Sequence, residues 1–232
     1  MYLVFAIIAG IDVVQIMRDD LQTILHEAAR DVADIRLGTT ITAIEKHGEE
    51  SAVTFSDGES AMFDVVIGAD GLYSKVRDLV MPDAPKPSYT GQGCWRAQTE
   101  PPPHWTTAKM FLGPVKVGFT PYAKDRMYMF LLENAKDKPF YKNEELLPRL
   151  KALLAPFGGE LAEIRDAMDE ATPILARPLE SVLIDGPWHV GRVLLIGDAA
   201  HSAQFSIGSG TKIAMEWDGF DAWGRRLQGA PD

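Results

Sequence analysis

A mixed α/β (α+β) fold, a partial parallel-sheet unit with an antiparallel sheet inserted into it, is predicted by three features of the sequence. Two apolar runs, Asp64-Val-Val-Ile-Gly-Ala-Asp70-Gly71 and Arg192-Val-Leu-Leu-Ile-Gly-Asp198, each end in a small-residue turn bearing a carboxylate, as buried strands do where they deliver a turn to the edge of a sheet. Between them, after Pro82, Pro85 and Pro87, come short segments rich in aromatics, Met and Val, split by Pro101-Pro-Pro103, Gly113-Pro114 and Lys124-Asp125. The turn pairs His47-Gly48 and Asp57-Gly58 close short connections, which antiparallel neighbours alone permit.

The elements follow in order. Residues 3–8 are apolar and predict a strand. Over residues 18–33, Leu21, Ile24, Leu25 and Ala28 recur at helical spacing behind Asp19 and Asp20, acids placed where a helix dipole favours them. Residues 35–45, 51–55 and 62–67 predict a three-stranded meander, its last strand buried on both faces. Ser74 is the expected N-cap of a helix reaching about residue 79, before Pro82.

Residues 93–99, 107–112, 115–120 and 127–132 predict at least four antiparallel strands, carrying the aromatic set Trp95, Phe111, Phe119, Tyr128 and Phe130. Amphipathic helices are expected over 143–154 and 160–168, with Pro148 tolerable only near the first turns, and a returning strand over 175–184. The expected domain organisation is 1–84 and 179–232 as two parts of one domain, with 85–178 inserted between them.

Composition narrows the function. A formal net charge of -10 and the absence of a Lys/Arg cluster argue against nucleic acid as a partner, so an anionic ligand needs local arginines. The single cysteine, Cys94, excludes a disulfide framework, reads as a small apolar strand residue and fits a reducing cytoplasm. No metal site is expected. The first eleven residues lack a basic start and read as a buried strand, not a signal peptide, and no run of eighteen apolar residues predicts a membrane span.

The stretch Gly197-Asp198-Ala199-Ala200-His201, followed by Phe205-Ser-Ile-Gly208-Ser209-Gly210-Thr211-Lys212, reads as a cofactor site. A carboxylate at Asp198 can accept hydrogen bonds from ribose hydroxyls, and Gly208 and Gly210 let backbone N–H groups approach a flat ring at a helix start. His201 fits a structural, hydrogen-bonded histidine better than a base, and no catalytic side chain is singled out.

The segment Arg192–His201 with Gly208-Ser-Gly210 resembles the second flavin-binding motif of the FAD-dependent aromatic hydroxylases, the p-hydroxybenzoate hydroxylase-like monooxygenases. Asp64–Arg77 is similar to that family's Asp-Gly motif, and Arg18-Asp-Asp-Leu21 to the segment whose arginine reaches the flavin nucleotide. The resemblance implies a partial Rossmann-like FAD/NAD(P)-binding domain and a sheet domain that receives a small aromatic substrate. It implies hydroxylation with NAD(P)H and O₂ through a flavin C4a-hydroperoxide. The residues it assigns to the cofactors are Arg18, Asp70, Gly71, Arg77, Gly197, Asp198 and Gly208 to Lys212.

The sequence departs from the family in one large respect. The Gly-x-Gly-x-x-Gly turn that cradles the FAD pyrophosphate is absent, since Gly208-Ser-Gly210 is followed by Ile213 at the third place. The expectation is therefore a chain truncated at its front, lacking a βαβ unit. Three alternatives stay open: an inactive or incomplete fragment without catalytic activity, a fragment complemented by a separate N-terminal piece or by self-association, and a non-hydroxylating flavin oxidoreductase.

Overall fold

The computed structural model describes residues 18–138 and 140–202, so the expected strand at 3–8 and the glycine-rich stretch from Gly208 lie outside the described residues. In chain order the elements are α1 (Arg18–Ala29), β1 (Ile41–His47), β2 (Glu50–Phe55), β3 (Ser60–Phe63), β4 (Val66–Gly68), α2 (Lys75–Val80), β5 (Ser88–Thr99), β6 (Lys109–Leu112), β7 (Lys116–Ala123) and β8 (Arg126–Asn134). There follow α3 (Asn143–Leu154), α4 (Glu160–Ala167), β9 (Ile174–Leu183), β10 (His189–Val190), β11 (Val193–Leu195), a single 3₁₀ turn at Gly197–Ala199, and β12 (His201–Ser202). They fall into two packed units: one takes α1 and Gly91–Leu179, the other Ile35–Thr90 and the chain from Glu180 onward.

In the first unit the strand order is β9-β5-β8-β7-β6. Alternation along β8 sets the core, because Met127, Met129 and Leu131 are fully buried while Tyr128 and Phe130 between them are only half-buried. Trp95, Val117 and Phe119 share the inward face, which Leu150 and Leu154 of α3 and Leu161 and Ile164 of α4 cover. Of the five-residue aromatic set, Trp95, Phe111 and Phe119 are core, while Tyr128 and Phe130 occupy the other face of the sheet. Helix α3 has the predicted bounds, with Glu145 Oε2 accepting the backbone N–H of Lys142, 2.8 Å away, at its start. Pro148 stands inside it, where it gives up one backbone bond of the second turn.

In the second unit β1, β2 and β3 form the expected antiparallel meander, with Ile44 opposite Val53 and Ser51 opposite Phe63. The predicted strand over 62–67 is corrected by the structure. It is two strands in two sheets: β3 completes the meander, and after a bend at Asp64 the chain enters β4, which pairs in parallel with β11. Only one face of β4 is covered among the described residues: Val66 and Gly68 are buried while Ile67 is 57% exposed. The first strand also begins late, at Ile41, because Gly38 takes a left-handed φ of 73° in a turn. Likewise α1 stops at Ala29, short of residue 33, and buries no residue.

Candidate functional site

Strands β4 and β11 lie side by side in parallel register, Val66 with Val193, Ile67 with Leu194 and Gly68 with Leu195. Both therefore release their turns at the same end of the sheet, Ala69-Asp70-Gly71 from one and Ile196-Gly197-Asp198 from the other, where ligands settle in open α/β sheets. The backbone N–H of Ile196 donates to the Gly68 carbonyl at 3.0 Å, carrying the pairing one residue past the strands. Gly71 and Gly197 both adopt left-handed backbone, φ 82° and 56°, which explains why each turn has glycine there.

Gly68 answers to a different demand. A Cβ built on it would lie 2.7 Å from Leu195 Cδ2 and 2.8 Å from Val76 Cγ1, so the absence of a side chain is what lets α2 and β11 close on β4. The sequence signal for this was the single glycine ending the apolar run Val65-Val66-Ile67.

The predicted cap at Ser74 is present: Ser74 Oγ accepts the Arg77 N–H at 2.9 Å and donates to Asp70 Oδ1. Asp70 Oδ2 accepts the backbone N–H groups of Lys75, 2.7 Å away, and Val76, 3.0 Å away. Its carboxylate is thus engaged with the start of α2 and shapes the loop from within.

Arg77 is corrected more sharply. It was expected to meet an anionic dinucleotide directly, yet it is 1% exposed, and its guanidinium donates from Nη1 to the Ala199 carbonyl at 2.9 Å and from Nη2 to the Leu72 carbonyl at 2.8 Å. Asp198, by contrast, is exposed on the 3₁₀ turn, and its carboxylate accepts no hydrogen bond from the described residues. Arg18 heads α1, exposed, in the first unit. Gly208, Ser209, Gly210, Thr211 and Lys212 lie outside the described residues.

His201 follows the turn on β12, 7% exposed, its ring stacked on Trp188 at 4.6 Å with 23° between the planes. Among the described residues its Nε2 has no hydrogen-bond partner, and the ring is held by the stack on Trp188. Burial pushes its pKa below 6.5, with the Asp198 charge opposing weakly. Because the folded value is depressed, the neutral ring's contribution to stability is complete above the unfolded value and is lost as pH falls through the folded one. The urea midpoint is accordingly expected to fall between about pH 8 and about pH 5, and His201→Gln to flatten that dependence. A slope unchanged in the variant assigns it to other groups.

The first unit contains a carboxylate that sequence reasoning missed. Glu133, 7% exposed, accepts Trp95 Nε1–H and Tyr141 O–H, each at 2.9 Å, beneath a Trp95–Tyr141 stack of 5.0 Å and 27°. Its signal was phase: Glu133 continues the inward series Met127, Met129, Leu131. Burial and the Glu133 hydrogen bond raise the Tyr141 pKa, and burial raises that of the Cys94 thiol. Two cavities lie away from the paired turns. One of about 440 Å³ is lined by Thr99, Arg126 and Asp169, and one of about 530 Å³ by Lys46, Leu79 and Arg192. Among the described residues no cluster of three or more His, Cys, Asp or Glu is placed to hold a metal, and no helix is long and apolar enough to cross a membrane.

Comparison with known proteins bears on these turns. A family model described as FAD binding domain matches residues 11–222. The chain is 33% identical over 208 residues to a 2-heptyl-3-hydroxy-4(1H)-quinolone synthase of Pseudomonas aeruginosa, covering 87% of this chain and 53% of that protein. It is 31% identical over 214 residues to an FAD-dependent urate hydroxylase of Mycolicibacterium vanbaalenii, covering 87% and 52%. Among solved structures, Klebsiella pneumoniae HpxO complexed with FAD and uric acid superposes with a TM-score of 0.77 at 27% identity, over 86% of this chain and 52% of that one. The chain spans about half the length of the curated relatives it matches. By the extent of the family match and by its fold, the chain belongs to the FAD binding domain family of the FAD-dependent hydroxylases.

Proposed function

We propose that this chain forms part of an FAD-dependent monooxygenase that hydroxylates an aromatic substrate with NAD(P)H and O₂. The observation that carries the reading is the paired presentation of two glycine-and-carboxylate turns at one end of the parallel strands β4 and β11. The residues fit the cofactor: Asp198 is an exposed acceptor for ligand hydroxyls, Gly197 keeps the turn free of a side chain, and the buried Arg77 cation lies beneath without a carboxylate partner among the described residues. Relatives named as urate hydroxylase and as quinolone synthase act on flat heteroaromatic rings by those names, which supports a ring substrate.

When bound, FAD supplies the redox chemistry, accepting a hydride from NAD(P)H and activating O₂. The chain's own part is to hold and orient. Asp198 would hold the ribitol or pyrophosphate region and Gly71 would shape the loop beside it, and the family resemblance adds Arg18 and Gly208 to Lys212 as residues that would contact the cofactor. In the sheet unit, Tyr128 and Phe130 lie on the face opposite the core and are the aromatic residues left to meet a substrate. Burial raises the Tyr128 pKa, against the nearby Arg96 charge, so the phenol stays protonated and able to donate.

A visible spectrum after adding FAD and removing the excess tests the reading. Retained flavin absorbance supports it, and a colourless chain rejects FAD binding by this polypeptide alone. Asp198→Ala is expected to cost about 2 kcal/mol, roughly thirtyfold in FAD affinity. An unchanged dissociation constant would reduce Asp198 to a turn residue. Product analysis with an aromatic substrate separates hydroxylation from simple NAD(P)H oxidation.

A further inference from the structure

Arg77 is a buried cation with no ion-pair partner among the described residues. Its residue surface is 1% exposed, it forms no ion pair among the described residues, and Nε, buried as well, has no hydrogen-bond partner. A guanidinium removed from water is costly unless charges or acceptors replace the lost hydration, and here two backbone carbonyls do so only in part. An apolar side chain of similar length would fill the same buried volume at lower cost.

The two acceptors show what the arrangement achieves. Leu72 belongs to the loop after β4, and Ala199 closes the 3₁₀ turn after β11, 122 residues from Arg77 in sequence. The planar fork of one guanidinium holds both carbonyls at once, which a single ammonium does not do. Ala199 follows Asp198, so holding its carbonyl fixes the 199–200 peptide and restrains the short 3₁₀ turn on which the exposed carboxylate stands.

We propose that Arg77 is a positioning residue for the FAD site, resting on the reading above. It ties the Asp70–Leu72 loop to the Gly197–Ala200 turn so that both order together, and its charge, which forms no ion pair among the described residues and is felt by the neighbouring Asp78, favours an anionic dinucleotide over an uncharged flavin. It makes this selection without touching the ligand. The charge acts through an interior of low dielectric constant, where it is screened far less than a surface arginine.

Three variants of the full chain separate fork from charge. Arg77→Lys keeps the charge and loses the fork, while Arg77→Met loses both. Should the methionine variant fail to fold, Arg77→Gln, neutral but able to donate to one carbonyl, takes its place. The readouts are the preference for FAD over riboflavin, followed by flavin fluorescence, and amide exchange at residues 70–74 and 197–202 in the ligand-free chain. The neutral variant is expected to lose about tenfold or more of the FAD preference and the lysine variant less than about threefold, with exchange at both segments faster in each.

An unchanged preference in the neutral variant, or loss of FAD and riboflavin binding in equal measure, overturns the selecting role. Unchanged exchange at 197–202 in both variants overturns the tie. If the wild-type chain binds neither flavin, the functional reading above fails and exchange alone judges the tie: faster exchange upholds it, unchanged exchange overturns it.

Discussion

Replacing Trp95 by alanine is expected to destabilise the chain by about 3–5 kcal/mol, the range for deleting a large aromatic side chain from a packed core. Trp95 is fully buried in β5, and three separate losses add there. The indole leaves a cavity among Leu131, Phe119 and the α3–α4 side chains. The Trp95–Tyr141 stack disappears, and with it part of what orders the chain before α3. Glu133 loses one of its two side-chain donors while remaining 7% exposed, so a carboxylate is left short of partners in a dry setting. Trp95→Phe restores most of the volume but not the N–H donor. Urea midpoints of the two variants apportion the loss: what Trp95→Phe still loses against the parent chain reports the missing hydrogen bond to Glu133, and the further loss in Trp95→Ala reports packing.

Gly68→Ala is the second large expectation, at about 1–3 kcal/mol of overpacking with a loss of FAD affinity alongside. The added methyl meets Val76 Cβ at 2.9 Å as well as Leu195 Cδ2 at 2.7 Å, and both neighbours are buried core residues with no room to withdraw. Relief therefore has to come from moving α2 or β11, and these are the elements that set the two turns. Gly118 makes an instructive contrast. Its Cβ would come closer still, 2.3 Å from Phe130 Cε1, but that atom belongs to the far end of a half-buried ring on the neighbouring strand, which can swing away. Gly118→Ala is expected to cost less than Gly68→Ala in the same denaturation experiment, and the reverse order would show that the Phe130 ring is locked in place.

These cases indicate what the sequence could and could not reveal. The bounds of α3 and the Ser74 cap were legible because each depends on residues within a few positions of one another. The break between β3 and β4 was not. An apolar run looks the same whether it stays in one sheet or leaves it, and the decision rests on Val193 to Leu195, far along the chain, pairing with the second half only. Arg77 was misread for a related reason: its partners are the carbonyls of Leu72 and Ala199, and a backbone acceptor leaves no mark in the sequence. A positive charge beside a glycine-and-aspartate turn suggests a phosphate contact until burial shows that it points inward. The family motifs located the paired turns correctly, while the work done by each side chain within them emerged only from the packing.

The parallel pairing of β4 with β11 also governs how the chain reaches its native state. The second unit is assembled from two distant pieces, Ile35–Thr90 and the chain from Glu180 onward, whereas Gly91–Leu179 is continuous. During synthesis β4 emerges long before its partner, and the loop that must close carries an entropic cost that grows with the logarithm of its length. The continuous stretch, held by antiparallel neighbours and by α3 against α4, can collapse in the meantime and so shortens the effective loop. Nucleation in the inserted sheet followed by late zipping of β11 onto β4 is the order this connectivity favours, and it makes the paired turns form after the inserted sheet.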